Sequence, residues 1–278
     1  MIFMANMANF HWHPEIALGL EVLLAGYLLA TGVLRRRFRL GPPPARGRLA
    51  AFLAGTGILA GAVLGPLAEW AEHAALSAHM IQHLLLMLVV PLLWLLGLPP
   101  WLLAPVARAP VVGRVGWWLT RPLPALAIAS AVQVAWHVPV AFDAALRVQP
   151  LHALEHISFL AAGLLFWWPV VGPAPEWPRP SPPAQLLYLF LATIPMMAIA
   201  APITLAEDVL YPFYAGTGQT WPLAPRADQE VAGVLMWVGG MLGYLVVGTV
   251  VFFRWAGPEA REDAETPLDG VEATAHGA

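Results

Sequence analysis

Seven stretches of roughly 20 apolar residues, each long enough to cross about 30 Å of hydrocarbon, recur along this chain and leave it few folds to adopt. They run at 15–34, 49–67, 79–98, 123–142, 152–171, 184–205 and 231–253, and each is bounded by Pro, Gly or charge. A bilayer interior offers no water to exposed backbone groups, so only helices and closed barrels span it. These stretches are about twice the length of barrel strands. The predicted fold class is therefore all-α, a seven-helix transmembrane bundle. Composition agrees: the chain is 59% hydrophobic and 11% charged, where soluble domains carry about a quarter charged residues. A net charge of −3 says little about partners, because the charges lie in loops and tails. There is no basic block of the sort that grips nucleic acid, and the lipid bilayer is the expected surrounding.

Orientation follows from arginine alone, because lysine is absent. Arg35, Arg36, Arg37, Arg39, Arg46 and Arg48 follow the first span. Arg108, Arg114 and Arg121 follow the third, Arg179 the fifth, and Arg254 and Arg261 the last. Only Arg147 and Arg226 fall on the opposite side. The positive-inside rule then predicts the N-terminus outside and the C-terminus in the cytoplasm of a bacterial cell membrane. The predicted organisation is an extracytoplasmic segment 1–14, a transmembrane domain 15–256 and an acidic, disordered cytoplasmic tail 257–278. No signal-peptide pattern precedes the first span, which is expected to remain in the mature protein. The proline-rich loop 173–183 reads as a stiff spacer. Gly57, Gly61 and Gly65 on the second span, and Gly239, Gly240 and Gly243 on the seventh, read as close-packing positions.

With that orientation, eight of nine histidines gather at the outer face: His11, His13, His73, His79, His83, His137, His152 and His156, with His276 left in the tail. Residues four apart share a helix face, so His79 with His83, and His152 with His156, can each offer two nitrogens to one ion. His137, near the outer end of the fourth span, supplies a fifth, and His73, in the loop between the second and third spans, is a further candidate ligand. Taken singly, a histidine at a helix end is an ordinary interfacial hydrogen-bonding residue; the gathering is what points to a metal. Cysteine is absent, so the donors must be His, carboxylate or thioether. Met87 continues the His79–His83 face, Met80 flanks it, Met196 and Met197 sit midway along the sixth span, and Met236 lies in the outer half of the seventh. Thioethers favour Cu(I), which tilts the expectation to copper over zinc, although each Met read alone is core filling. Glu155 is expected to point elsewhere around its helix. Glu21, inside the first span, is a functional candidate because an ionisable group there is costly. Pro139, two residues after His137, either shapes the cup or simply ends a helix.

Three motifs carry a family resemblance. His79-Met80-Ile81-Gln82-His83-Leu84-Leu85-Leu86, running on to Pro91 and the turn at Gly97 and Pro99, resembles the third-helix signature of the CtaG family, integral-membrane assembly factors of caa3-type cytochrome c oxidase. Trp136-His137-Val138-Pro139 resembles its next motif, and His152-Ala153-Leu154-Glu155-His156 with Trp167-Trp168-Pro169 a third. The resemblance covers the chain from first to seventh span. It implies a non-enzymatic protein needed to mature a haem-copper oxidase, with oxidase subunits as partners. It further implies copper held by His79, His83, His137, His152 and His156 for supply to the catalytic subunit.

Two other functions stay open on the residues themselves. A zinc-dependent membrane hydrolase would use three protein ligands and an activated water, with Asp143 or Glu155 as base. A haem-binding redox protein would use His83 and His156 as axial ligands.

Overall fold

The computed structural model describes residues 14–216 and 221–265, with side chains as far as 257, and the described residues contain helices and no strand. In chain order the helices are α1 (Pro14–Phe38), α2 (Arg46–Leu64), α3 (Pro66–His73), α4 (Leu76–Gly97), α5 (Pro100–Arg108), α6 (Pro110–Leu119), α7 (Pro122–His137), α8 (Pro139–Arg147), α9 (Gln149–Val171), α10 (Pro182–Leu205), α11 (Pro212–Ala215) and α12 (Pro225–Glu265). Proline opens most of them. At the first helical position its missing N–H costs nothing, since that donor has no intrahelical partner anyway.

Six of these helices, α1, α2, α4, α9, α10 and α12, are long and apolar enough to cross a membrane. The fourth predicted span differs from expectation: it is broken. Helix α7 ends at His137, and α8 leaves it at 73°. The cause is Pro139, which disfavours helical geometry in the residue before it; Val138 sits at φ −64° and ψ 125°. The break frees the His137 carbonyl, which accepts a hydrogen bond from the Tyr211 hydroxyl at 2.9 Å.

Further differences lie in the connections. The turn around His73 is helical (α3), and the arginine-bearing loop after α4 contains α5 and α6. Their short, Pro-started, two-sided sequences do not stand out as apolar runs. The segment 173–183 is no free spacer. Trp177 is buried, and its indole N–H donates to the Gly113 carbonyl of α6 at 2.9 Å. A Cβ on Gly57 or Gly61 would meet nothing within 4 Å, so close packing is not their role. The backbone of α12 stays helical to Glu265, and the rest of the acidic tail lies outside the described residues, as do His11, His13 and His276.

Helices α4 and α9 form the middle of the bundle, with 56% and 50% of their apolar windows buried against 11% for α1. They approach closely at Gly163. A Cβ there would collide with the Met87 carbonyl oxygen and come within 2.6 Å of Pro91 Cγ. The helix turns from Leu85 to Val89 are π-helical, an irregularity that often accompanies a functional site. Just beyond this crossing α4 presents His79 and His83, and α9 presents Glu155 and His156. Arginine marks the opposite end of the bundle, where Arg48 Nη1 donates to the Leu98 carbonyl at 2.8 Å.

Candidate metal centre

Four donor side chains from two helices converge in the interior. One nitrogen each from His79, His83 and His156 and one oxygen of Glu155 all lie within 4.8 Å of one another. His79 Nε2 and His83 Nε2 are 2.7 Å apart. Glu155 Oε1 is 3.4 Å from His83 Nε2, and Oε2 is 3.8 Å from His79 Nε2. Three of the four are buried, His79 and Glu155 with no exposed surface and His83 3% exposed, while His156 is partly exposed. Phe142 of α8 packs on the His79 ring at 4.8 Å between centroids, and Phe159 of α9 on His83 at 4.4 Å. The bend at Pro139 is what lays Phe142 over the group.

Hydrogen bonding fixes how two of the rings present themselves. The Tyr214 hydroxyl donates to the Ala71 carbonyl, so its oxygen is left to accept from His79 Nδ1–H at 3.0 Å. That tautomer leaves the lone pair of His79 on Nε2, the atom that faces His83 and Glu155. His137 Nδ1–H donates to the Gln133 carbonyl at 2.7 Å, which leaves its Nε2 lone pair free. Orientation of a ring by a hydrogen bond to its far nitrogen is the usual support of a metal-binding histidine. Tyr214 and Tyr211 both stay neutral donors. Burial first, and then the Glu155 carboxylate, hold the Tyr214 phenol well above its ordinary value. Burial likewise raises Tyr211.

The decisive feature is what these side chains lack. Both carboxylate oxygens of Glu155, Nδ1 of His83, and Nε2 of His137 and of His156 are buried without a hydrogen-bond partner. A buried polar atom left unsatisfied costs about 1–3 kcal/mol, more if charged. Such atoms on neighbouring side chains call for partners, and the two Glu155 oxygens, which belong to the four-donor group itself, suit a cation. Donors bound to one ion at about 2.0–2.2 Å lie within about 4.4 Å of each other, so small side-chain rotations close this group on a cation. The residues present fit a metal.

The predicted ligands divide accordingly. His79, His83 and His156 come together. His137 lies beside them, its ring 5.4 Å from that of His83. His152 stands at the margin, with its ring 4.2 Å from that of His156 and Nδ1 3.8 Å from Glu72. His73 is exposed on α3 and stands outside the four-donor group. Glu155, expected to point away, is in the group. At 3.6 residues per turn, positions 155 and 156 fall about 60° and 40° to either side of 152, within one helix face. That periodicity, with the rule that an ionisable residue inside an apolar helix is functional by default, was the signal for it. Glu21, to which that rule was applied, is exposed on α1. Tyr211 and Tyr214 lie between spans and carry no sequence pattern that identifies them.

The chain has relatives among known proteins. The family model for the cytochrome c oxidase caa3 assembly factor matches residues 25–257. Uncharacterized proteins of Mycobacterium bovis and Mycobacterium tuberculosis are each 29% identical over 271 residues, covering 89% of this chain and 40% of their own length. One from Mycobacterium leprae is 25% identical over 268 residues, covering 90% of this chain and 40% of its own. The chain thus spans about two-fifths of the curated relatives it matches. No solved structure matches it. With every donor of the group inside the matched region, the chain belongs to the caa3 cytochrome c oxidase assembly-factor family and is a multi-pass membrane protein.

Proposed function

We propose that this protein binds copper at His79, His83, Glu155 and His156, with His137 and His152 flanking, and passes it to a haem-copper oxidase during assembly. The carrying observation is the Glu155 carboxylate, fully buried and without a hydrogen-bond partner among three imidazoles. A cation is the natural neutraliser of such a set, and membership of the caa3 cytochrome c oxidase assembly-factor family supports the oxidase as the client. The arginine distribution supports an extracytoplasmic site with the N-terminus outside and the C-terminus in the cytoplasm. A gradient of exposure supports a way in: the Glu72 side chain is 20% exposed and His152 beside it 5%, while His79 and Glu155 are sealed. Copper would meet the Glu72–His152 pair first and the buried donors next. Delivery to the catalytic subunit would reverse that path, with the donors returning to their metal-free state. The role is that of a carrier, with no bond made or broken in a substrate.

Metal analysis of detergent-purified protein tests this reading. Copper should be retained by the wild type and lost from the double variants His79→Ala/His83→Ala and His152→Ala/His156→Ala. Copper retention unchanged in both variants would end it. Three imidazoles and a carboxylate are also a set that zinc accepts, so zinc in place of copper, with turnover of a lipid amide or ester, would favour the hydrolase. A Soret band in the purified protein would instead favour a haem held by His83 and His156.

A further inference from the structure

Immediately below the four-donor group, towards the middle of the membrane-spanning bundle, lies a small chamber of about 10 Å³. Among its walls are Met87 of α4, Met196 of α10 and Met236 of α12, together with His83, His137 and Gln133. The three methionines come from three helices and are 4%, 1% and 1% exposed. Chain spacing relates Met87 to His83, but nothing in the sequence relates Met196 to Met236.

Ordinary core filling does not account for the chamber's chemistry. His137 Nε2 and His83 Nδ1 are buried with no hydrogen-bond partner, and both residues line it. The Gln133 amide donates to Met196 Sδ at 3.4 Å, which holds that thioether in place. Gly240 of α12 lets Met196 stand there, since a Cβ at that position would lie 2.6 Å from Met196 Cε and 3.1 Å from Sδ. The volume is that of about one water-sized probe, small enough for a single ion and too small for an organic ligand.

We infer that this chamber is a second copper site, specific for Cu(I), formed by the Met87, Met196 and Met236 thioethers and His137 Nε2. Soft, uncharged thioethers select Cu(I) over harder divalent ions, and a monovalent ion among neutral donors suits a site this far from water better than a divalent one. His83 lines both regions, so the chamber adjoins the nitrogen–oxygen group and would receive copper from it. The inference rests on the copper reading of that group for the identity of the metal, but not for the existence of the site.

The test uses the full-length chain in detergent, loaded anaerobically with Cu(I) from its bicinchoninate complex and examined by copper-edge X-ray absorption. The wild type should show sulfur among the copper neighbours. Met87→Leu/Met196→Leu/Met236→Leu, a set of nearly volume-conserving changes, should lose about one Cu(I) per chain and the sulfur signal. It should keep Cu(II) binding at the four-donor group. Glu155→Gln/His156→Ala should do the reverse and retain sulfur-ligated Cu(I). Copper bound by the wild type without sulfur neighbours, as when the chamber holds only water, overturns this inference and leaves the upper site standing. No copper in either oxidation state overturns both. Should the triple variant fail to fold, the wild-type spectrum still decides.

Discussion

The four-donor group and the chamber beneath it share a histidine and differ in nearly everything else. Above, nitrogen and carboxylate oxygen face one another near the Glu72–His152 margin. Below, three methionines and His137 are among the residues that border a small void. The upper region is held by hydrogen bonds from loops and short helices, Tyr214 to Ala71 and His79 above all. The lower one is held by helix packing, through Gly163 against α4 and Gly240 against Met196. Hard and soft donors in adjoining regions would offer one metal two environments, and each region can be disturbed without the other.

The change expected to matter most removes the frame common to both. Gly163→Leu places a side chain where the Met87 carbonyl and Pro91 now sit, so α4 and α9 must separate. Overpacking of this kind costs about 1–3 kcal/mol. Thermal unfolding in detergent should fall accordingly, and copper content should drop in the upper and lower regions together. Unchanged stability and copper content would show that the α4–α9 crossing does not set the site.

Next in size is Glu155→Gln, which keeps the shape and removes the charge. Copper affinity of the upper group should fall about tenfold or more, a loss of about 1.4 kcal/mol or more. The metal-free protein should be no less stable than wild type, because an unpartnered buried carboxylate is a liability until a cation arrives. Affinity from metal competition and melting of the metal-free form check the two halves separately. A clear loss of metal-free stability would mean that Glu155 holds the fold rather than the metal.

A smaller effect is expected from Tyr214→Phe. Losing the hydroxyl leaves His79 Nδ1–H only the Ala71 carbonyl, 3.3 Å away, as acceptor and costs about 0.5–1.5 kcal/mol of stability. Because that carbonyl still orients the ring, the affinity loss should be only about tenfold or less, the low end for an orienting partner. The weakening should be confined to the upper region, with the sulfur signature of Cu(I) in the chamber unchanged; its loss would tie the two regions together more tightly than their packing does.

The sequence shows spans and faces well, because they follow from apolar length and helical period. It placed seven spans, put His79 on the face of His83, and put His152 on that of His156. It could not show that His137 approaches His83 or that Met196 meets Met236, since nothing local links residues on different helices. The 73° bend between α7 and α8 was half legible. Pro139 marks where a helix can break, but the decision to turn there depends on Phe142 finding the His79 ring and Tyr211 taking up the His137 carbonyl. Glu155 was legible and misread, for its helical angle placed it beside His156. Tyr214 was not legible, because loop residues reach a site through tertiary packing alone.

The smallest expected effect concerns Glu21, which by composition alone is the twin of Glu155. Both are carboxylates set among apolar residues within a helix. The bundle separates them: Glu155 lies in α9 at its centre, and Glu21 is exposed on α1, the least buried span. A carboxylate at a lipid-facing position can be relieved by snorkelling or local water, so its cost is met by the membrane rather than by a ligand. Glu21→Gln should therefore leave copper content, the sulfur signature and oxidase assembly at wild-type level. If oxidase maturation fails in that variant while copper binding stays intact, Glu21 marks the face at which α1 meets the client, and the two acidic residues would divide the work into holding the metal and finding its recipient.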